Sequence, residues 1–405
     1  MNAPFAPSLL SAVELAPRDP ILGITEAFNA DKNPRKINLG VGVYYDEDGK
    51  VPLLDCVKRA EHLITERSAP HPYLPIDGIA AYDRGVRDLM FGAANPVVTG
   101  GLAVTVQTLG GTGGLKVGTD FLRRFAPEAQ VWISDPSWEN HRALFEGAGF
   151  AVNYYRYYDA ATHGLDFDGM IADLDRLAPG AIVVLHACCH NPTGVDPTAA
   201  QWRRILEVVR ARGLVPFLDL AYQGFADGTD ADGALVRDFA ATPGPLFVAS
   251  SFSKSFSLYG ERVGALSIVA ADKDEAARVL SQVKRVVRAN YSNPPTFGGQ
   301  VVTTILSDPE LRALWERELG TMRERICTLR RKFVEKLRIR APAADFSFVM
   351  TQRGMFSYSG LSKDAMLRLR SEYAVYALDS GRICVAALNE RNLDYVVDAV
   401  ATVIG

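Results

Sequence analysis

Two short apolar runs, separated by one helix-like segment, constrain the fold more than any other feature of the sequence. The runs are residues 181–185 and 214–218, and residues 197–212 between them read as an amphipathic helix. Continuous apolar runs of this length are typical of strands that are buried on both faces, and a helix between two of them indicates a parallel pair. From about Val51 onward, strands and helices alternate in this way. The sequence therefore predicts an α/β fold with a doubly wound, mostly parallel sheet.

Polar residues follow both apolar runs, at the points where the predicted strands end. Asn191 begins the motif Asn-Pro-Thr-Gly after the first run, and Asp219 and Tyr222 follow the second. Open α/β sheets bind ligands at the carboxyl ends of their parallel strands, so these side chains are candidates for one site. A carboxylate there can pair with a protonated pyridine nitrogen, while an amide and a phenol can donate to a ring oxygen.

A lysine flanked by hydroxyl groups is the most informative chemical motif in the chain. Lys254 follows Ser251 and Ser253, and Arg262 lies eight residues further on. Hydroxyls and a guanidinium can bind a phosphate while the lysine amine bonds to a carbonyl carbon, which suits a phosphate-bearing aldehyde. Pyridoxal phosphate is the cofactor that this grouping predicts.

A glycine-rich turn lies between a predicted strand at residues 103–106 and a predicted helix at residues 115–125. Residues 110–114 of this turn read Gly-Gly-Thr-Gly-Gly. Glycines at the start of a helix expose backbone N–H groups that can bind an anion. The turn lacks the third glycine of a dinucleotide fingerprint and the Gly-Lys-Ser/Thr of a P-loop, so neither nucleotide-binding motif fits.

Composition limits the class of protein and its partners. With 405 residues, 48% hydrophobic and 22% charged, the chain can bury a full core and is expected to form two domains. A net charge of −3 argues against nucleic acid as a partner. No basic segment precedes a long apolar one at the start, and no run is long enough to cross a bilayer. Five cysteines, without a Cys-x-x-Cys pair, suit a reducing compartment. We expect a soluble, cytoplasmic protein.

Four side chains of metal-binding type lie close together, at His186, Cys188, Cys189 and His190. Neighbouring side chains on an extended strand point to opposite faces, so this group would diverge rather than surround an ion. We expect packing roles for these residues and no metal site. His141 is a separate case: we expect it to reach the Asp219 carboxylate and to orient it.

Taken in order along the chain, these motifs resemble those of the fold-type I, class I aminotransferases, in the aspartate and aromatic-amino-acid branch. The resemblance runs from Asp19 to Ala386. The matching motifs are QTLGGTG (107–113), DPSWENH (135–141), HNPTG (190–194), DLAYQGF (219–225), SFSK (251–254) and NYSNPP (290–295). The family implies pyridoxal phosphate as the cofactor and a large domain with a mostly parallel, seven-stranded sheet between helices, plus a smaller α/β domain.

The domain boundaries expected for this chain follow the same pattern. We expect an N-terminal arm at residues 1–18, a large cofactor-binding domain at residues 51–318, and a small domain built from residues 19–50 and 319–405. Further helices are predicted at residues 272–288, 309–337, 362–373 and 392–403, and strands near residues 346–350 and 383–387.

The resemblance implies a role for each cofactor-binding residue. Lys254 bonds covalently to the cofactor, Asp219 pairs with the pyridinium nitrogen, and Trp138 stacks on the ring. Asn191 and Tyr222 bind the ring oxygen. The residues that resemble the phosphate-binding cup are Gly111, Thr112, Ser251, Ser253 and Arg262, completed by Tyr73 from a second subunit. Lys254, Asp219 and Tyr222 are the expected catalytic residues.

The resemblance also implies how substrates bind. Arg382 resembles the residue that binds the substrate α-carboxylate, with Gly42 close by and with Trp138 and Asn191 bordering the same space. Arg288 resembles the residue that crosses the interface of a homodimer to reach a distal carboxylate. Apolar walls for an aromatic side chain are expected from Ile21, Leu22, Val43 and Tyr45.

The sequence gives mixed indications of whether dicarboxylic or aromatic substrates are preferred. Two facing arginines favour a dicarboxylate, because each guanidinium can bind one carboxylate through two hydrogen bonds. Tyr45, Val51 and Pro72 are apolar or aromatic where aspartate-selective relatives tend to be polar, whereas Thr112 and Asn293 keep the aspartate-type identity. We predict ping-pong transamination between an aromatic L-amino acid (tyrosine, phenylalanine) or aspartate and 2-oxoglutarate.

Three alternatives stay open at this point. One is an aminotransferase selective for aspartate. The second is a lyase or decarboxylase of the same fold, which would use the same cofactor site. The third, a non-enzymatic regulator, is disfavoured because the chain has no room for a DNA-binding module.

Overall fold

The computed structural model describes residues 8–16 and 20–404, and for residues 9 and 20–22 it describes the backbone only. The predicted apolar walls Ile21 and Leu22 therefore lie outside the described side chains. The strands are β1 (Ile37–Asn38), β2 (Ala103–Leu109), β3 (Val131–Asp135), β4 (Val152–Arg156), β5 (Tyr158–Asp159), β6 (Gly164–Leu165), β7 (Ile182–His186), β8 (Val215–Leu220), β9 (Leu246–Ser251), β10 (Val263–Val269), β11 (Phe356–Tyr358), β12 (Val375–Tyr376) and β13 (Arg382–Cys384).

Helices surround these strands. The α-helices are α1 (Pro20–Ala30), α2 (Asp55–Glu66), α3 (Ala80–Phe91), α4 (Pro96–Thr99), α5 (Gly110–Phe125), α6 (Glu139–Gly147), α7 (Phe167–Leu174), α8 (Ala199–Ala211), α9 (Thr229–Ala240), α10 (Lys273–Asn290), α11 (Phe297–Ser307), α12 (Pro309–Arg340), α13 (Lys363–Tyr373) and α14 (Leu393–Ile404). Short 3₁₀ helices lie at Leu9–Ala12, Tyr259–Glu261, Ser347–Thr351 and Val385–Ala387. Within the described chain, no helix is both long and apolar enough to cross a membrane.

A seven-stranded sheet forms the centre of the molecule, in the order β2-β10-β9-β8-β7-β3-β4. β10 is antiparallel to both of its neighbours, and the other strands run parallel. Every residue of β7 is buried, as expected for a strand covered by helices on both faces. The predicted α/β fold with a mostly parallel seven-stranded sheet is confirmed.

The register between β7 and β8 brings the polar motifs together. His186 lies opposite Asp219 where the two strands end. The connection between them is α8, which begins with a capping box: the Thr198 hydroxyl accepts from the Gln201 backbone, and the Gln201 side chain accepts from the Thr198 N–H. A helical crossover between parallel strands leaves the loops after both strands at the same edge of the sheet.

Two predicted elements near the C-terminus are wrong in part. Residues 346–350 do not form a strand, because the Asp345 carboxylate accepts the Ser347 N–H (2.8 Å) and hydroxyl (3.0 Å) and starts a 3₁₀ helix. The strand is β11 instead, which pairs antiparallel with β13. The predicted strand at residues 383–387 keeps only its beginning in β13 and then turns into a 3₁₀ helix.

The glycine-rich turn also differs from its prediction. Residues 110–114 were expected to precede a helix at residues 115–125, but they form the first turn of α5 itself. Backbone N–H groups in the first turn of a helix have no partner within it. The Gly110 N–H donates to the Arg262 carbonyl at 2.9 Å, so the N–H groups of the residues that follow it are the donors available to a ligand.

One long helix connects distant parts of the chain. In α12, which has 32 residues, the Trp315 indole N–H donates to the carbonyl of Ser255, the residue after Lys254, at 2.7 Å. Arg330, fifteen residues further along α12, is buried and donates to the carbonyls of Gly354 (2.8 Å) and Phe356 (3.0 Å). The helix therefore contacts both the segment of the candidate lysine and the segment that carries β11.

Candidate active site

A cavity of about 240 Å³ opens at the carboxyl ends of β7 and β8, next to the beginning of α5. Most of the residues predicted to bind cofactor or substrate line it. They are Gly42, Gly111, Thr112, Trp138, Asn191, Asp219, Tyr222, Ser251, Ser253, Lys254, Arg262 and Arg382. The residues come from positions 42 to 382, so the fold and not the local sequence brings them together.

One end of the cavity is suited to an anion. A Cβ atom on Gly110, which has φ +67°, would lie 2.6 Å from an Arg262 guanidinium nitrogen, and a Cβ on Gly111 would lie 3.0 Å from the Ser251 Cβ. These two glycines let a guanidinium and a hydroxyl approach the N-terminus of α5 closely. Backbone N–H groups, the helix dipole and a cation converge there.

The hydroxyls at this end are linked to the same arginine. The Ser251 hydroxyl donates to the Ser253 oxygen at 3.2 Å, and Arg262 Nη1 donates to that oxygen at 3.2 Å. No carboxylate pairs with Arg262 among the residues that the structure describes. A guanidinium beside two hydroxyls and a helix N-terminus is a phosphate-type site.

The middle of the cavity contains the lysine and a buried carboxylate. Lys254 Nζ lies 4.9 Å from the ring centroid of Tyr222. Asp219 accepts a hydrogen bond from His141 Nε2 at 2.9 Å, and Ser137 lies 3.0 Å from the other nitrogen of the same imidazole. His141 is fully buried, and the predicted contact with Asp219 is present in the structure.

Electrostatics set the charge states of this pair. Removal from water lowers the pKa of Lys254 to about 8; Asp219 opposes the shift, and the positive charge of Arg262 adds to it. Burial alone would raise the pKa of Asp219, but the hydrogen bond from His141 and nearby positive charge lower it overall. Asp219 is therefore an anion at neutral pH, and Lys254 is a readily deprotonated amine.

The opposite end of the cavity contains a buried arginine. Arg382 donates from Nη1 to Asn191 Oδ1 (3.0 Å) and from Nη2 to the Gly40 carbonyl (2.6 Å). Its guanidinium carbon lies 4.2 Å from the ring centroid of Phe356, and a Cβ on Gly42 would lie 2.7 Å from that ring. Arg382 Nε is buried without a hydrogen-bond partner in the described part of the chain. A buried cation without a carboxylate partner is suited to an anionic ligand.

Several predicted residues lie away from this cavity. Tyr73 is 93% exposed, and Arg288 is exposed at the end of α10, where it donates to the Ser292 hydroxyl at 2.6 Å. Tyr45 borders a separate cavity of about 580 Å³ that also touches Val41 and Tyr395. Val43 lines neither of these cavities. The roles expected for Tyr73 and Arg288 in a second subunit's site stay predictions.

Five residues of the cavity wall have no place in the predicted site: Leu115, His186, Ala221, Tyr259 and Phe356. Tyr259 accepts the Tyr44 N–H at 2.9 Å and so ties the segment after Lys254 to the segment that carries Gly42. His186 is neutral because burial lowers its pKa. Its place opposite Asp219 follows from strand register, and that register is the one signal that could have identified it.

Comparison with known proteins agrees with this geometry. The model of the family described as aminotransferase class I and II matches residues 34–400. The chain belongs to the class I and II aminotransferases. It is 61% identical, over 397 residues, to an aspartate aminotransferase of Pseudomonas aeruginosa, covering 98% of this chain and 100% of that one.

Two solved structures of aminotransferases are similar over their whole length. One is an aromatic-amino-acid aminotransferase from Burkholderia pseudomallei, covalently bound to pyridoxal phosphate (63% identity, TM-score 0.96, 98% of this chain and 100% of that one). The other is an aromatic amino acid aminotransferase from Psychrobacter sp. B6, cocrystallised with aspartic acid (45% identity, TM-score 0.96, 98% and 100%).

Proposed function

We propose that this aminotransferase uses pyridoxal phosphate to transfer amino groups between an aromatic L-amino acid or aspartate and 2-oxoglutarate. The observation that carries the proposal is one cavity that contains a deprotonatable lysine, a buried aspartate, a phosphate-type site and a buried arginine without a carboxylate partner. The relatives support it, since they include enzymes named for aspartate and for aromatic amino acids.

The described side chains fit the cofactor. The glycines at the start of α5 leave a cradle that a Cβ would fill, and Ser251, Ser253 and Arg262 supply donors for a phosphate. Asp219 offers an anion to a pyridinium, and Lys254 offers the amine that bonds to an aldehyde carbon. When bound, pyridoxal phosphate supplies an electron-withdrawing ring that stabilises negative charge at the substrate's α-carbon.

The chain's own residues provide binding and proton transfer. We assign Arg382 to the substrate α-carboxylate, which would complete the hydrogen bonding of the guanidinium. Lys254 Nζ accepts the proton from the α-carbon, since its pKa of about 8 suits a general base near neutral pH. His141 holds Asp219 in the ionised form, and Trp138 lines the cavity.

Dual substrate use rests on residues at the edge of the site. The aromatic enzyme from Psychrobacter sp. B6 was cocrystallised with aspartic acid, which supports one site that accepts both classes. We propose that Arg288, together with Tyr73, serves the site of a neighbouring subunit in a homodimer. Both side chains are exposed, and neither lines the catalytic cavity of its own chain. Tyr45 is the proposed apolar contact for an aromatic ring.

Domain division and location are part of the same proposal. We propose an arm at residues 1–18, a large domain at residues 51–318, and a small domain from residues 19–50 and 319–405. The parallel pairing of β1 with β12 supports a small domain built from both ends of the chain. Five free cysteines support a reducing, cytoplasmic location.

Lys254 is the residue on which the proposed function is tested. Borohydride reduction of the holoenzyme, followed by peptide mapping, should place the cofactor's mass on Lys254. Lys254→Ala should bind pyridoxal phosphate without a covalent bond and lose almost all transamination. Label on a different lysine would contradict the assignment. Product analysis separates the alternative, because transamination transfers the nitrogen to 2-oxoglutarate and forms glutamate, whereas a lyase would release ammonia and a decarboxylase would release carbon dioxide and an amine.

A further inference from the structure

One aspartate holds the loop that follows β7. Asp196 accepts the Cys189 N–H at Oδ2 (2.7 Å) and the His190 N–H at Oδ1 (2.8 Å). Cys189 has a φ of +53°, a left-handed conformation that a non-glycine residue adopts only when its surroundings favour it. Asn191 follows His190, and its Oδ1 accepts a hydrogen bond from Arg382 at 3.0 Å. Asp196 therefore fixes the backbone immediately before Asn191.

A second aspartate holds the loop that follows β8. Asp232, in the first turn of α9, is buried, and its carboxylate accepts three backbone N–H groups. The donors are Gly224 (2.8 Å), Ala226 (3.0 Å) and Asp227 (2.8 Å). These bonds begin two residues after Tyr222, so Asp232 fixes the backbone that presents the Tyr222 phenol.

The two loops are also connected to each other. The Arg353 N–H donates to the Gly194 carbonyl at 2.6 Å, and the Arg353 guanidinium forms an ion pair with Asp227. The Cys189 thiol lies 4.0 Å from the Tyr222 carbonyl oxygen. Asp196 and Asp232 line a second cavity of about 900 Å³ that is separate from the catalytic one. Both loops are thus held from the side away from the ligand.

We propose that Asp196 and Asp232 are positioning residues for the cofactor's ring oxygen, with Asp196 fixing Asn191 and Asp232 fixing Tyr222. The proposal rests on the proposed function, because only the bound cofactor gives these two donors a common acceptor. Charge-assisted bonds to backbone N–H groups are stronger than neutral ones, and a binding group must stay within about 0.5 Å of its productive position. The two carboxylates together accept five such hydrogen bonds, and these fix the backbone next to the two donor side chains, Asn191 and Tyr222.

The experiment compares Asp196→Asn and Asp232→Asn with Asp238→Asn in the holoenzyme. Asparagine keeps the volume but offers one acceptor oxygen and turns an NH₂ group toward the remaining N–H donor. Asp238 is the matched control, because it lies on α9 and borders the same second cavity but is exposed. The readout is the pH midpoint of the bound cofactor's visible absorbance, together with kcat and KM.

The expected direction of the shift in the absorbance midpoint follows from the hydrogen bonds that Asn191 and Tyr222 donate to the ring oxygen. A donor that withdraws negative charge from this oxygen makes the proton on the adjacent Lys254 nitrogen easier to remove. Misplacing Asn191 or Tyr222 should therefore raise the absorbance midpoint by about half a pH unit in both variants, and leave it unchanged in Asp238→Asn. A double-mutant cycle sharpens the test: Asp196→Asn should add almost nothing to Asn191→Ala, and Asp232→Asn almost nothing to Tyr222→Phe.

Amide hydrogen exchange on the cofactor-free protein gives a readout that does not depend on activity. Exchange at Cys189 and His190 should be faster in Asp196→Asn than in the wild type or in Asp238→Asn. Faster exchange with an unchanged absorbance midpoint would overturn the proposal and leave Asp196 a purely structural role. If Asp196→Asn does not fold, Asp196→Glu displaces the carboxylate by one methylene and should give the same upward shift. A wild-type protein without a titrating cofactor absorbance would instead refute the proposed function.

Discussion

The two ends of the catalytic cavity differ in how completely one chain builds them. At the cofactor end, Lys254, Asp219 and Arg262 lie on neighbouring strand ends, and each has defined partners. At the side-chain end, Tyr45 borders another cavity, and Arg288 is exposed. The difference fits the proposal that discrimination between side chains depends on Arg288 of a neighbouring subunit, whereas Lys254, Asp219 and Arg262 come from one chain.

The largest effect is expected from Arg382, the buried arginine of the cavity. Every amino acid has an α-carboxylate, so Arg382→Ala should damage aspartate and tyrosine turnover alike. A charge-assisted hydrogen bond contributes roughly 1.5–3 kcal/mol, so the loss of a bidentate pair should lower kcat/KM by about two to four decades. Steady-state kinetics with both amino donors measure this. A loss confined to one donor would remove Arg382 from the shared part of the site.

A slightly smaller effect is expected at the cofactor end. Asp219→Asn keeps the shape of the side chain but removes the anion that His141 stabilises. Removing one partner of a buried ion pair costs roughly 3–5 kcal/mol, which corresponds to about two to three decades in kcat. Both substrates should be affected equally, and Asp238→Asn serves as the control. A kcat within about threefold of the wild type would contradict the role of Asp219.

The side-chain end should respond selectively. Arg288→Ala should lower kcat/KM for aspartate by about one to two decades and for tyrosine by less than one, because only aspartate has a second carboxylate. Equal losses of kcat/KM for aspartate and tyrosine would show that Arg288 does not bind the second carboxylate of aspartate.

Subunit exchange then tests whether Arg288 acts across an interface. Hybrids of Lys254→Ala and Arg288→Ala chains contain one site with both lesions and one with neither. Activity toward aspartate should reappear in these hybrids. No recovery after verified exchange would leave Arg288 in its own chain's site.

The smallest effect concerns stability without cofactor. The pKa of Lys254 is about 8 in the fold and 10.5 as the ordinary value, so the unfolded chain binds more protons between these pH values. A penalty of at most about 3 kcal/mol is therefore present below pH 8 and is relieved as the pH rises to 10.5. Cofactor-free Lys254→Met should have a higher Tm than the wild type at pH 7, and the gap should narrow by pH 10. A gap independent of pH would show that Lys254 is not desolvated.

Strand ends account for most of what the sequence could predict. Asn191, Asp219 and Tyr222 follow apolar runs of recognisable length, and the parallel sheet brings such positions together. The lysine segment was predictable because hydroxyls and a cation surround it within a few residues. Local pattern was sufficient in these cases, since the chemistry and the fold use the same short motifs.

Residues that act through long-range contacts could not be found in this way. Tyr259 matters because it accepts the N–H of Tyr44, a residue more than two hundred positions away. Asp196 and Asp232 look like ordinary loop and helix-start aspartates until their backbone donors are seen. The error at residues 346–350 has the opposite cause, because a local hydrogen bond from the Ser347 N–H to the Asp345 carboxylate outweighed the β propensity of apolar residues.

The contacts of α12 have a consequence for how the chain tolerates changes in length. Trp315 holds the carbonyl next to Lys254, and Arg330 holds the Phe356 segment against which Arg382 packs. An α-helix advances about 1.5 Å and turns about 100° per residue. Inserting or deleting one residue between these two positions would rotate one anchor off its target while the other stayed in place. The fifteen-residue spacing between Trp315 and Arg330 therefore fixes the distance between the Lys254 segment and the Arg382 segment. We expect sequence alignments of related enzymes to have no gaps between these two positions.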